Sequence, residues 1–213
     1  ALDKIEMLAR ILQSEGRGPT IVFCRTKRTC QKTADDLLER GFRSDTIHGD
    51  LGQGAREKAL NDFKAGKSDV LVATDVAARG IDIDGITHVV NFQCPEDEKT
   101  YVHRIGRTAR AGAHGISVTF VDWDELARWK MIDIALNLNL GEPEETYSSS
   151  DSLFTKFNIP AGSNGRMNVA KKIAPVKSAS AAERPKTNKS QVAQKPKVER
   201  VKRERVRTKR IAD

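Results

Sequence analysis

Apolar residues recur along most of the chain in two alternating rhythms. Ile5, Leu8, Ile11 and Leu12 fall three or four apart or side by side, the spacing of a helix with one buried stripe, and Gly16-Arg17-Gly18-Pro19 ends it. Thr20-Ile21-Val22-Phe23-Cys24 is an apolar run with no polar alternation, which predicts a strand buried on both faces. Helices are predicted over residues 27–40, 55–65, 98–107 and 124–135, and strands over 45–48, 69–73, 87–92 and 115–121. Buried strands alternating with helices predict an α/β fold, a parallel sheet with helices on both faces. In such folds ligands gather outside the carboxyl edge of the sheet, so the segments just after the strands are where chemistry is sought.

The pattern weakens after Trp129. Leu153, Phe154, Phe157 and Ile159 are expected to dock back on the body, and the domain edge is placed near Pro160, giving a folded domain over residues 1–160. Beyond it the composition changes. Residues 161–213 hold sixteen Lys or Arg against four Asp or Glu, with no Phe, Trp or Tyr. Such a segment buries too little apolar surface to offset its ordering entropy, and a disordered, basic tail is expected. The body carries the other 21 basic and 25 acidic residues, so the formal net charge of +8 comes from the tail. Cys24, Cys30 and Cys94 form no Cys-x-x-Cys pair, which points to reduced thiols and a cytoplasmic location. No apolar stretch approaches the length of a membrane span, and the start Ala-Leu-Asp-Lys-Ile reads as the edge of a fragment of a longer protein.

The densest candidate chemistry is His103-Arg104-Ile105-Gly106-Arg107-Thr108-Ala109-Arg110. On a helix, His103, Arg107 and Arg110 would share one face, and clustered guanidinium groups suit phosphate oxygens. A solvated basic face with arginines bonded to nearby acids is the plainer alternative. Ala73-Thr74-Asp75-Val76-Ala77-Ala78-Arg79-Gly80-Ile81-Asp82 begins at a strand end, where Thr74 and Asp75 can cap a helix and Gly80 allows a sharp turn. Cys24-Arg25-Thr26-Lys27, and His48-Gly49-Asp50 with Gln53-Gly54-Ala55-Arg56, each place cations and backbone donors at a helix start. Simple capping accounts for either loop alone. Gly66-Lys67-Ser68 lacks the earlier glycine of a phosphate-binding loop, Asp82-Ile83-Asp84-Gly85 lacks the remaining ligands of a calcium loop, and the four histidines have no metal-ligand spacing. No metal site is assigned, and His88 reads as a core histidine.

Taken in order, these four segments resemble the second-half motifs of the DEAD-box ATP-dependent RNA helicases, in both sequence and spacing. The resemblance implies a RecA-like domain that works against a second, N-terminal RecA-like half. It implies that Arg107 and Arg110 reach the γ-phosphate of ATP across the cleft, that Asp82 contacts the ribose with Gly80 lining the same site, and that His103, supported by Arg104, couples the ATP site to RNA. Arg25, Gly49, Gln53, Arg56 and Thr74 fall where the family grips the RNA backbone. Ala109 stands where many relatives have Gly. The nucleotide-binding loop and the Mg²⁺ ligands of the family belong to the other half, so residues 1–213 alone are expected to be inactive. The alternative is a non-catalytic RNA-binding or annealing module, against which Asp82, Arg107 and Arg110 argue. No membrane partner is expected.

Overall fold

The computed structural model of the chain describes residues 2–81, 83–109 and 114–167; Asp82, Arg110 and the basic segment from 168 onward, tail run included, lie outside the described residues. Five strands, β1 (Thr20–Cys24), β2 (Ser44–Ile47), β3 (Val70–Thr74), β4 (His88–Asn91) and β5 (Ile116–Thr119), form one wholly parallel sheet in the order β2-β3-β1-β4-β5. Around them lie α1 (Leu2–Ile11), α2 (Lys27–Glu39), α3 (Gln53–Lys64), α4 (Asp75–Ala78), α5 (Glu98–Ile105), α6 (Leu126–Ala135) and α7 (Asp151–Lys156), with a 3₁₀ turn at Trp123–Glu125.

Every residue of β1 and β3 is buried, as their unbroken apolar runs require of a sheet covered on both faces. Alternate side chains feed separate cores. Val22, Cys24, Val70 and Val72 pack with Leu8, Leu12, Ala34 and Leu37 of the α1 and α2 side, whereas Ile21, Phe23, Leu71 and Ala73 pack with Ala59 and Phe63 of α3 and with Ala77 and Ala78 of α4. Burying each large aliphatic or aromatic chain contributes about 1.5–3 kcal/mol, so this two-sided burial is the main force holding the sheet. A smaller cluster of Cys94, Tyr101, Trp129 and Ile132 joins α5 to α6.

The helices begin where their caps dictate. The Thr26 side chain accepts the amide of Thr29 to open α2, and Asp97 accepts the amide of Thr100 at 2.7 Å to open α5. Leu153 and Ile159 bury into the α1 side of the core, and the chain stays on the body beyond Pro160: Gly165 N–H donates to Gln13 Oε1 and Met167 N–H to the Arg40 carbonyl, each at 2.8 Å. All three cysteines are free and buried. Burial pushes the Cys24 thiol up to about 12 and those of Cys30 and Cys94 to about 11, which leaves them protonated and unreactive. His88 lies in β4 at 4% exposure. No helix among the described residues is long and apolar enough to cross a membrane.

Candidate functional site

Strand β1 lies between β3 and β4, the place where the chain, having built one half of the sheet, crosses to build the other. Such a switch point leaves a crevice outside the carboxyl ends of the strands. Arg104 of α5 fills its base. Its Nε and Nη2 donate to the two oxygens of Asp75 at 2.7 Å each, and Nη1 donates to Asn91 Oδ1 and the Gln93 carbonyl at 3.2 Å each. The guanidinium also lies 5.4 Å from the centre of the Phe23 ring, and the residue is 1% exposed. Of the arginines in the 103–110 segment, Arg104 is therefore a buried ion pair and is not offered to a ligand.

The shared helical face expected for His103 and Arg107 does not form, and Arg110, the third member expected on it, lies outside the described residues. Helix α5 stops at Ile105, Gly106 caps it, and the amides of Arg107 and Thr108 close back on the carbonyls of Arg104 and Ile105 in tight turns. Ala109 then takes the left-handed conformation, φ 56°, which redirects the chain. His103 is exposed in the last turn of α5, and Arg107 projects from the following turn. There Arg107 Nη1 donates to the Ile81 carbonyl at 2.8 Å. Gly80, at φ 75°, precedes Ile81 in a conformation that favours glycine, so the described parts of two distant motifs, Gly80-Ile81 and Arg107, meet at one place. Thr108 reinforces the junction by donating its hydroxyl to the Ile86 carbonyl at 2.5 Å.

The other five candidates gather along the same sheet edge. Cys24 is in register with Thr74, and Ile47 with Ala73, so Arg25, Thr74 and the His48-Gly49 turn lie at the carboxyl ends of three adjacent strands, Thr74 as the last residue of β3. With neighbouring strands about 4.8 Å apart, that row spans about 10 Å. Thr74 is buried and makes no side-chain cap to α4. Gln53 opens α3 and donates to Glu57 at 2.7 Å. The half-buried Arg56 makes no side-chain hydrogen bond or ion pair among the described residues. Gly49 has no protein atom within 4 Å of where a Cβ would stand and no positive φ, so neither packing nor backbone shape calls for glycine there.

Arg25 is more constrained than its place in a surface loop implies. Its Nη2 donates to the Cys94 carbonyl at 3.1 Å and forms an ion pair with Glu125, while its own amide donates to Gln93 Oε1 at 2.9 Å. Glu125 is 3% exposed and also takes the amides of Cys94 and Asp122 at 3.3 and 3.2 Å. It thereby ties the ends of β1 and β4 to the turn that starts α6. Sequence reading passed Glu125 over. The signal that could have found it is the Asp122-Trp123-Asp124-Glu125 spacing, a capping box in which the acid at the third position folds back. No group of three potential metal-ligating side chains forms among the described residues.

Residues 3–112 match the helicase conserved C-terminal domain family. The chain is 48% identical over 131 residues to the ATP-dependent RNA helicase CshA of Listeria monocytogenes, covering 62% of this chain and 25% of that protein. It is 49% identical over 130 residues to the DEAD-box ATP-dependent RNA helicase CshA of Bacillus subtilis, covering 61% of this chain and 26% of that one. The chain thus matches about a quarter of the length of these relatives. Among solved structures, the Escherichia coli DEAD-box protein SrmB bound to regulator of ribonuclease activity A aligns with TM-score 0.63 and 36% identity, over 71% of this chain and 86% of that one. Saccharomyces cerevisiae Dbp5 bound to RNA and ADP BeF3 aligns with TM-score 0.61 and 33% identity, over 74% of this chain and 41% of that one.

Proposed function

The chain belongs to the helicase conserved C-terminal domain family, as the RecA-like C-terminal domain of a DEAD-box protein, and from that premise we propose that it is the half of an ATP-dependent RNA helicase that completes the ATP site and holds one side of the RNA. In this reading an N-terminal RecA-like half binds ATP and supplies the Mg²⁺ ligands, and closure of the two halves brings Arg107 and Arg110 to the γ-phosphate. Positive charge placed there acts on the transition state, an effect worth about 10³ to 10⁵ in rate in NTPases. Gly80 and Asp82 line the nucleotide side, and His103, exposed at the end of α5, faces the coupling between the two sites.

Arg25, Gly49, Gln53, Arg56 and Thr74 are assigned to the RNA backbone. A row of donors along one sheet edge suits successive phosphates and sugars and carries no base information, so the grip is sequence-independent. Closing on ATP strains a short duplex until one strand leaves, and hydrolysis reopens the cleft. The basic tail adds charge-driven attachment to RNA.

The observation that most supports this reading is the Arg104–Asp75 pair. Asp75 follows Thr74 on the RNA side, and Arg104 lies between His103 and Arg107 on the nucleotide side. A buried bidentate bond between them makes the two sides one rigid joint, which is what an ATP-gated grip on RNA requires. The test is reconstitution. Residues 1–213 alone are expected to show no RNA-stimulated ATP hydrolysis and to regain it when joined to a matching nucleotide-binding half. Substantial turnover by the purified chain alone would contradict the assignment.

A further inference from the structure

The turn that carries Gly49 is held by a chain of side-chain hydrogen bonds whose every donor and acceptor is determined. His48 is 6% exposed, and the amide of Asp50 donates to its Nδ1 at 3.3 Å. A backbone amide can only donate, so Nδ1 carries a lone pair and the ring proton sits on Nε2. That proton faces Gln31 Oε1 at 2.9 Å. Gln31 in turn donates its amide nitrogen to Asp35 Oδ1 at 2.8 Å, which fixes which end of the amide meets the histidine. The result is a relay from α2 into the turn. Within it, the amide of Gly49 has no partner among the described residues, and the residue is exposed.

We propose that His48 and Gln31 are positioning residues for RNA: they hold the His48-Gly49-Asp50 turn in the shape that presents the Gly49 amide to a backbone phosphate. This deepens the assignment of Gly49 to the RNA grip and rests on it. Neither residue needs to touch RNA. A protonated ring would set an N–H against the Asp50 N–H and push the turn out of shape. The charged groups lining the hollow over His48 are balanced: Lys27, Arg28 and Lys32 against Asp35 and Asp36 from α2 and Asp50 from the turn itself.

The experiment measures the affinity for a single-stranded oligouridine, at fixed salt and with a non-hydrolysable ATP analogue, for the protein carrying its nucleotide-binding half. The variants are Arg56→Ala, His48→Ala, His48→Asn and Gln31→Leu. Arg56→Ala tests the RNA grip itself and is expected to weaken binding. His48→Ala and Gln31→Leu should each weaken it by about tenfold, the effect of one positioned hydrogen bond. His48→Asn should restore affinity to within about threefold of the unaltered protein, because an Asn side chain accepts the amide two residues on in an Asx turn. A weakened Arg56→Ala beside His48→Ala and Gln31→Leu variants that bind like the unaltered protein would overturn the positioning role while leaving the grip intact. A His48→Asn variant that binds as weakly as His48→Ala would also overturn it. No loss in Arg56→Ala or in His48→Ala would remove the grip assignment and the inference with it.

Discussion

Arg104 holds both oxygens of Asp75 at 2.7 Å, and this one pair joins the two halves of the candidate site. Arg104 is almost wholly buried, whereas the Asp75 side chain is 32% exposed, so the arginine carries most of the desolvation cost and depends most on its partner. Asp75→Ala should leave a buried guanidinium without its carboxylate and destabilise the domain by about 3 kcal/mol, read as a lowered urea midpoint at unchanged slope. Arg104→Lys should not restore it, since an ammonium cannot make the two-pronged bond. Full stability in either variant would show that the joint does not exist in solution.

Ala109 holds a left-handed backbone, φ 56°, at the turn between Arg107 and Arg110. An L-residue with a Cβ pays about 1–2 kcal/mol for that shape, and glycine escapes it at the expense of a looser unfolded chain. Ala109→Gly should therefore stabilise the domain by about 0.5–1 kcal/mol, raising its melting temperature by about 2 °C. A lower melting temperature would mean that Ala109 does not adopt this turn.

His88 is buried in β4 beside Arg17, and its ring is held below its ordinary value, first by burial and then by the arginine's charge. The unfolded histidine thus takes up a proton at a higher pH than the folded one. Stability is fully present above the unfolded value of 6.5 and declines as the pH falls through it toward the folded value. Urea unfolding at about pH 7.5 and about pH 5.5 should show this loss, and His88→Val should lessen it. An identical loss in the variant would assign the acid sensitivity elsewhere.

The basic segment after Met167 has no aromatic side chain to stack on bases, so its attachment to RNA should be electrostatic. Log affinity should then fall with log salt at roughly −0.7 per phosphate neutralised on a single strand. Truncation after Met167, which keeps the Met167–Arg40 backbone bond, should weaken binding and flatten that slope. Equal slopes for the two proteins would point to a linker or a protein-binding role.

Much of this architecture is legible in the sequence because the strands are buried on both faces. Thr20-Ile21-Val22-Phe23-Cys24 and Val70-Leu71-Val72-Ala73 have no polar alternation, and only a covered parallel sheet accepts such runs. Three of the four motif segments also fall at strand ends, and the fourth falls at the end of α5. What stays hidden is set by contacts distant in sequence. Arg104 and Arg107 sit three apart in one segment, yet one is buried on Asp75 and the other reaches the Ile81 carbonyl. Nothing local distinguishes them. The early stop of α5 at Ile105 follows from the tight turns after Gly106 and the left-handed Ala109, and an alanine gives no warning of that conformation. Glu125 reads as one more acid in an Asp-Trp-Asp-Glu run until the fold brings Arg25 and the Cys94 amide to it.

If this half supplies transition-state charge to ATP hydrolysis, as proposed above, the steady-state kinetics of Arg107→Ala and Arg110→Ala will show it. In the protein carrying its nucleotide-binding half, each substitution should lower the RNA-stimulated kcat by about 10³-fold or more, with KM for ATP changed far less, because the interaction is realised mainly in the transition state. A raised KM with kcat intact would contradict the account and reduce these arginines to ground-state binding groups.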